Sequence, residues 1–302
     1  MKETPMQDTP RIGLVGVGLM GHGIALNLAK KGQTLTVLEH PGNQPLDELL
    51  ALGVATAASV PALARQCDML ILCVTGSPQV EAVLLGEQGA LAALPAGVVV
   101  VDCSTAIPSS TERVAQACQA AGMQFLDAPM TRTPREAREG RLNLLVGGDA
   151  AVLARCRPVL QCFAENIVHT GAAGTGHRMK LLHNYVSLGS VALIAEAAAC
   201  ALGGGVASEV FVDVLAKGGG AGVALERLRP YLLAQDASAL RFAMGNALKD
   251  MGYYTTMAQD GQAALTIAQA VQATFGQAVE QGGADALVPE LVALLQATHK
   301  PV

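Results

Sequence analysis

Three polar side chains past the middle of the chain have the spacing of a reaction face. Lys180, Asn184 and Ser187 stand at i, i+4 and i+7, so on a helix they share one side, with His183 beside them at i+3. An amine and an amide so placed suit proton exchange with an oxygen. As an ammonium, Lys180 donates to a carbonyl that is gaining negative charge; as a neutral amine it takes the proton of a hydroxyl. The second role requires burial or a nearby cation to make that amine easier to deprotonate. The spacing by itself fits a solvated lysine at a helix start equally well. A second constellation lies near the N-terminus, where Gly16-Val17-Gly18-Leu19-Met20-Gly21 reads G-x-G-x-x-G. In such a turn the first glycine permits a tight bend and the second lets backbone approach a pyrophosphate. The third lets the following helix pack against the strand, and the N–H groups of its first turn face the anion.

These groups need elements to hold them. The run 11–15 precedes the glycines as a short apolar strand, and a helical stretch over 21–31 follows them. Further strand-like runs lie at 34–38, 69–74 and 98–101, with 124–126 and 143–146 extending the set and helix-like segments between. Alternating β and α predicts a parallel-rich sheet covered on both faces, a Rossmann domain. Glu39, at the end of the second strand, can accept hydrogen bonds from the adenosine ribose hydroxyls. A carboxylate there repels a 2′-phosphate, and His40-Pro41 rather than an arginine follows it, so the expected cofactor is NAD. Past the glycine-rich junction 171–176 no strand is evident. The segment 179–202 predicts one long helix, followed by helical stretches at 208–217, 222–235, 239–259, 261–281 and 287–297. The fold class is therefore α/β, with a Rossmann domain over 1–173 whose residues 1–10 form a loose tail. A long interdomain helix then leads into an all-α domain over 174–302.

Composition suits a two-domain cytoplasmic protein. The 302 residues suffice for two domains, 51% are apolar and 15% charged, and the net charge of −5 comes without a long basic run, which argues against nucleic acid. Aromatics make up 3% and Trp is absent, so the core must be built from Ala, Val, Leu and Met. The seven cysteines include no C-x-x-C pair and no zinc-ligand spacing with histidine; they read as small buried hydrophobes in a reducing compartment, and no metal is expected. No signal peptide is expected from the polar first ten residues. The stretch 186–205 is nearly apolar enough for a membrane span, but Glu196 at its middle favours a buried helix of a soluble protein.

The fingerprint continues as Gly16-Val-Gly-Leu-Met-Gly-His-Gly-Ile-Ala-Leu-Asn-Leu28, and three later blocks follow in order: Asp102-Cys-Ser-Thr105, Gly174-Thr-Gly-His-Arg-Met-Lys180-Leu-Leu-His-Asn184, and Lys249-Asp250. Together they resemble the β-hydroxyacid dehydrogenases, the family of 3-hydroxyisobutyrate dehydrogenase and tartronate semialdehyde reductase, over residues 11–300. The resemblance implies Lys180 and Asn184 as catalytic residues, Ser104 on the substrate acid group, Thr105 near the nicotinamide ribose, and Lys249 closing the site. Val74 and Thr75, where the family often has L-P, join Gly16, Gly18, Leu19, Met20, Gly21 and Glu39 among the cofactor contacts.

Two departures bear on the substrate. The family's V-S-G-G loop is Met130-Thr131-Arg132-Thr133 here, and its paired asparagines are His183-Asn184. An Arg-Thr in that loop, with Asn184-Tyr185-Val-Ser187 after the lysine, resembles the sulfolactaldehyde reductase branch. This implies a small anionic substrate met by Thr131, Arg132, Thr133, His183 and Ser187. The guanidinium fork suits carboxylate, sulfonate or phosphate, although Arg132 could equally belong to a basic loop whose Arg135 and Arg138 pair with Glu136 and Glu139. His183 reads either as a substitute for the missing asparagine or as a satisfied helix histidine, and His177 and Arg178 as residues of the helix start or cofactor edge. The expected activity is NAD(H)-dependent interconversion of a short aldehyde acid and its 3-hydroxy acid. Imine reduction and a non-catalytic dinucleotide sensor are the alternatives from other classes. The Ala/Leu-rich helical domain is expected to pair copies into a homodimer or homotetramer.

Overall fold

The computed structural model describes residues 10–297; the tail expected over 1–10 lies, apart from Pro10, outside them. The chain divides after Lys180 into two compact units.

The first unit is built on β1 (Ile12–Val15), β2 (Leu35–Leu38), β3 (Ala55–Ala57), β4 (Met69–Leu72), β5 (Val99–Asp102), β6 (Gln124–Asp127), β7 (Met130–Thr131), β8 (Leu142–Gly148) and β9 (Ala164–Gly171). Helices α1 (Leu19–Lys30), α2 (Asp47–Ala51), α3 (Val60–Ala64), α4 (Ser77–Leu85), α5 (Pro108–Ala120), α6 (Pro134–Glu139) and α7 (Ala150–Leu160) connect them. Strands β3-β2-β1-β4-β5-β6 run parallel in that order, the doubly wound arrangement of a Rossmann domain. Its order reverses between β1 and β4, and the crevice at their carboxyl ends is where such sheets take ligands. β6 and β7 then pair antiparallel with successive stretches of β8, and β9 pairs parallel to β8, so the sheet is mixed.

Burial follows the period of two. Ile12, Leu14, Met69, Ile71, Val99 and Val101 face a core shared with α1 and α7, whereas Leu70, Leu72, Val98 and Val100 face one shared with α3, α4 and α5. Covered on both faces, these strands read as continuous apolar runs, which is why they were visible in the sequence. The helix starts carry local signals too. Asp149 caps α7 by accepting from the N–H groups of Ala151 and Val152 at 2.7 and 3.0 Å.

The second unit is helical: most of α8 (Thr175–Gly203), then α9 (Ser208–Ala216), α10 (Val223–Ala234), α11 (Met244–Asp260), α12 (Thr266–Gly282) and α13 (Leu291–Ala297), with short 3-10 turns at Ala237–Leu240 and Val288–Glu290. Its core joins Leu181, Leu188, Val191 and Ala195 of α8 to Met251 and Tyr254 of α11 and Phe275 of α12, and Tyr185 stacks on Tyr254 at 4.1 Å. Helix α8 is long and apolar enough to cross a membrane by length and composition, but these buried positions make it a packing helix. All seven cysteines are unpaired; five are buried, Cys73 is half-buried and Cys200 is exposed.

Three strands, β3, β7 and β9, went unseen in the sequence. The expected long helix starts four residues earlier, at Thr175, so the break at 171–176 contains its first two residues.

Candidate active site

The glycine loop occupies the switch point of the sheet. Gly16 has φ +96°, and a Cβ there would run into the carbonyl of Cys73, just past β4. A Cβ on Gly18 would instead meet nothing within 4 Å, so the space above the loop is open. Gly18 caps α1 with no side-chain hydrogen bond, leaving the first-turn N–H groups to an outside acceptor. Leu19 is exposed and Met20 half-buried on that turn. Beyond β2, a cavity of about 530 Å³ is lined by Glu39, His40, Pro41, Asn43, Gln44 and Leu46. Glu39 is exposed and accepts from the Thr56 hydroxyl at 2.7 Å, so its other oxygen remains for a ribose. Asn43 ties this cavity to the glycine loop: its Nδ2 donates to the Leu38 carbonyl at 2.9 Å and its Oδ1 accepts from the Val17 N–H at 3.3 Å. Nothing in the sequence marks Asn43 beyond its being a turn-type residue. The open cradle, the uncapped helix and the acidic ribose position fit a dinucleotide.

Around the Asp-x-Ser-Thr block the first unit builds a buried polar knot. Ser104 accepts from the Val74 N–H at 3.0 Å through its hydroxyl, and its own N–H donates to Asp102 Oδ1 at 2.9 Å. Asp127, at the end of β6, accepts from the N–H groups of Gly174 and His177, both at 2.8 Å, and so anchors the start of α8. His177 was expected at the helix start or cofactor edge; it is on the first turn but fully buried. Its Nδ1 lies 2.8 Å from the Thr111 hydroxyl and its Nε2 3.1 Å from the Ser104 carbonyl. Burial holds the Asp102 carboxyl above the usual carboxylate range, against the opposing pull of His177. Thr105 is half-buried and Thr75 exposed nearby in sequence.

The 130–133 loop is engaged within its own unit. Arg132 has φ +84°, an unfavourable conformation for a side chain, at the position where the family has glycine. Its guanidinium pairs with the Glu165 carboxylate and donates to the Arg141 carbonyl. The alternative of a basic loop paired to Glu136 and Glu139 thus holds only for Arg135, which meets Glu139 at 3.0 Å; Arg138 pairs with Glu48. Glu136 caps α6 instead, accepting from the N–H and hydroxyl of Thr133. Thr131 is buried and accepts from Asn143 Nδ2 at 3.0 Å. Helix α6 is fastened to α1 by Asn27, whose Nδ2 donates to the carbonyls of Ala137 and Arg138 at 2.9 and 3.2 Å.

Lys180, Asn184 and Ser187 lie on the unbroken α8, one face of a single helix. Lys180 and Ser187 are half-buried. In the second unit Asn184 is buried; its Nδ2 donates to Asp250 Oδ2 at 2.7 Å, and its Oδ1 lies 3.0 Å from Nδ1 of the exposed His183. Lys249 Nζ sits 3.1 Å from Asp250 Oδ1, an ion pair outside hydrogen-bond geometry, and 5.2 Å from the Tyr253 ring centre. The structure therefore gathers His183, Asn184, Lys249 and Asp250 in one cluster, and Ser104 and Val74 in another. Arg132, Thr131 and Thr133 are occupied by loop contacts. Among the described residues no group of three or more His, Cys, Asp or Glu could hold a metal.

Known proteins resemble this chain in sequence and fold. Residues 11–171 match the family model described as the NAD binding domain of 6-phosphogluconate dehydrogenase, and residues 174–295 that described as NAD-binding of NADP-dependent 3-hydroxyisobutyrate dehydrogenase. The chain is 30% identical to an NAD-dependent L-serine dehydrogenase of Pseudomonas aeruginosa over 91% of this chain and 94% of that one. It is also 30% identical to a 3-sulfolactaldehyde reductase of Escherichia coli, over 90% and 91% of the two chains. A solved structure of Mycobacterium tuberculosis 3-hydroxyisobutyrate dehydrogenase with L-serine superposes with TM-score 0.86 at 25% identity, covering 95% of this chain and 99% of that one. By these matches the chain is a nicotinamide-dependent oxidoreductase and belongs to the β-hydroxyacid dehydrogenase family.

Proposed function

We propose that the enzyme interconverts a short aldehyde acid and its 3-hydroxy acid, in the manner of a sulfolactaldehyde or semialdehyde reductase, with NAD(H) rather than NADP(H). One observation carries this reading. The imidazole of His177, 3.1 Å from the Ser104 carbonyl, sets the first turn of α8 beside the Asp-x-Ser-Thr block, and Lys180 follows one turn later. The nicotinamide supplies or accepts the hydride. The Ser104 hydroxyl, accepting from Val74, keeps its proton for the substrate acid group. Lys180 gives a proton to the carbonyl oxygen in reduction and takes it from the hydroxyl in oxidation. Asn184, oriented by Asp250, offers its amide to the same oxygen. Glu39 favours NAD because its carboxylate would repel a 2′-phosphate.

Arg132 divides two substrate readings. Swung from Glu165 to the substrate, it would select a strong anion such as a sulfonate. Its observed pairing with Glu165 favours the second reading, a plain hydroxy acid of the 3-hydroxyisobutyrate or tartronate semialdehyde type. NADH consumption measured over sulfolactaldehyde, succinic semialdehyde and tartronate semialdehyde separates them. Turnover of a cyclic imine undiminished in Lys180→Ala would point instead to imine reduction, and NADH binding without turnover of any of these to a sensor.

We place the enzyme in the cytoplasm, where its unpaired thiols would stay reduced. We also assign a copy–copy contact to the helical unit. Val186 and Leu193 of α8 and Ile267 of α12 are 66%, 71% and 69% exposed around a cavity of about 400 Å³, an apolar patch suited to a second copy in a homodimer or homotetramer. Sedimentation of Leu193→Glu beside the parent tests it; an unchanged mass would discard this surface.

A further inference from the structure

We infer that His177 is a doubly protonated positioning residue: a buried imidazolium that clamps the Ser104 loop to the helix turn leading to Lys180. Both ring nitrogens face acceptors. Nε2 lies 3.1 Å from the Ser104 carbonyl, which has no proton to give, so Nε2 carries one. Nδ1 lies 2.8 Å from the Thr111 hydroxyl, and that hydroxyl donates its single proton to the Ile107 carbonyl at 3.1 Å. All three contacts are made at once only when Nδ1 also carries a proton and Thr111 accepts from it.

The charges around the ring support the same state. Asp127 Oδ2 lies 3.7 Å from Nδ1 and Asp102 Oδ2 3.9 Å from Nε2, and all three side chains are buried. Asp102 Oδ2 has no hydrogen-bond partner, and the edge of the ring faces it. A neutral ring would leave the buried Asp127 carboxylate, at the end of β6, without this cation beside it.

The consequence is mechanical. His177 joins α5 through Thr111, the β5 end through Ser104 and the β6 end through Asp127, which accepts from its backbone N–H. Through this one residue the loop that would hold the substrate acid and the turn that leads to the proton-transferring lysine keep one spacing. The kinetic part of this inference rests on the function proposed above; the protonation part does not.

The test uses the full chain labelled with [15N]histidine, the His177 signals being those that vanish in His177→Gln. Two protonated ring nitrogens at neutral pH are expected, with and without NADH. A single N–H with a bare Nδ1 overturns the charge assignment, whatever substrate the enzyme takes. In kinetics at saturating NADH, His177→Leu should lower kcat/KM for the aldehyde acid about 100-fold, the scale of a misplaced reacting group, with NADH affinity held within about twofold. His177→Gln, whose amide can donate to the Ser104 carbonyl, should recover about tenfold or more of that loss. Parent-like kcat/KM in His177→Leu overturns the clamp. Should that variant not fold, His177→Gln decides: retained turnover supports the clamp, and loss as deep as in Lys180→Ala overturns it.

Discussion

Asn184 donates to Asp250 at 2.7 Å across 66 residues of sequence, and both side chains are buried. The pair holds the amide of the lysine–asparagine face in one orientation. Asp250→Ala would orphan that amide at a cost of about 1–3 kcal/mol. Urea unfolding should show that loss, and kcat should fall together with it. A variant of parent stability and parent kcat would remove Asp250 from the site.

Lys180→Ala should reduce kcat by about 10²–10⁴-fold, the usual contribution of a positioned proton donor. NADH binding, followed by the cofactor's own fluorescence, should persist. Loss of NADH binding instead would place Lys180 in the cofactor site.

Arg132→Gly removes two opposed terms. It relieves a left-handed backbone strain of about 1–2 kcal/mol and gives up a half-exposed ion pair of about 1 kcal/mol or less. Thermal stability should change little, and KM for anionic substrates should rise if the guanidinium reaches them. Sulfonate and carboxylate turnover left equally unaffected would end its role in anion recognition.

Glu39→Ser should weaken NADH and strengthen NADPH, moving their ratio by about tenfold or 1.4 kcal/mol. Titration of the two cofactors by fluorescence reads this directly. An unmoved ratio would mean that Glu39 does not set cofactor choice.

The Thr133 hydroxyl holds the Glu136 carboxyl below its usual range, with burial opposing and the Thr133 N–H adding to the effect. A carboxyl lowered on folding stabilises above its unfolded value of about 4.3, and that contribution is lost as pH falls through the lower, folded value. Glu136→Gln should therefore lose less stability than the parent between about pH 5 and pH 3. Parallel acid-unfolding curves would show that the α6 cap carries no such linkage.

The sequence revealed what is periodic or repeated in type. Of the two-sided strands, β1 and β4 are apolar throughout, β2 and β5 are interrupted only by Thr36 and Asp102, and β6 keeps Phe125 and Leu126 between polar ends, while the face of α8 follows from helical spacing. β9 escaped because it is an edge strand, paired on one side with β8 and largely exposed, so its Glu-Asn-Ile-Val-His-Thr needs no apolar pattern. β7 has two residues and no period at all. The partners of the site residues were hidden for another reason: Arg132 meets Glu165 33 residues away and His177 meets Thr111 66 residues away, and pairings set by tertiary packing leave no local trace. His177 reads as a residue of the helix start or cofactor edge because nothing near it in sequence shows that the knot of Asp102 and Asp127 closes over it.

The contact of α1 with α6 has an evolutionary side. A single methyl on Gly23 would strike the backbone of Ala137, and Asn27 already holds the end of α6, so the stem beneath the 130–133 loop tolerates almost no change. The tip above it is held separately, Thr131 by Asn143, Arg132 by Glu165 and Thr133 by Glu136. Such a division would let a lineage exchange its tip residues, together with the partners that hold them, while the helix behind the glycine loop keeps its seat.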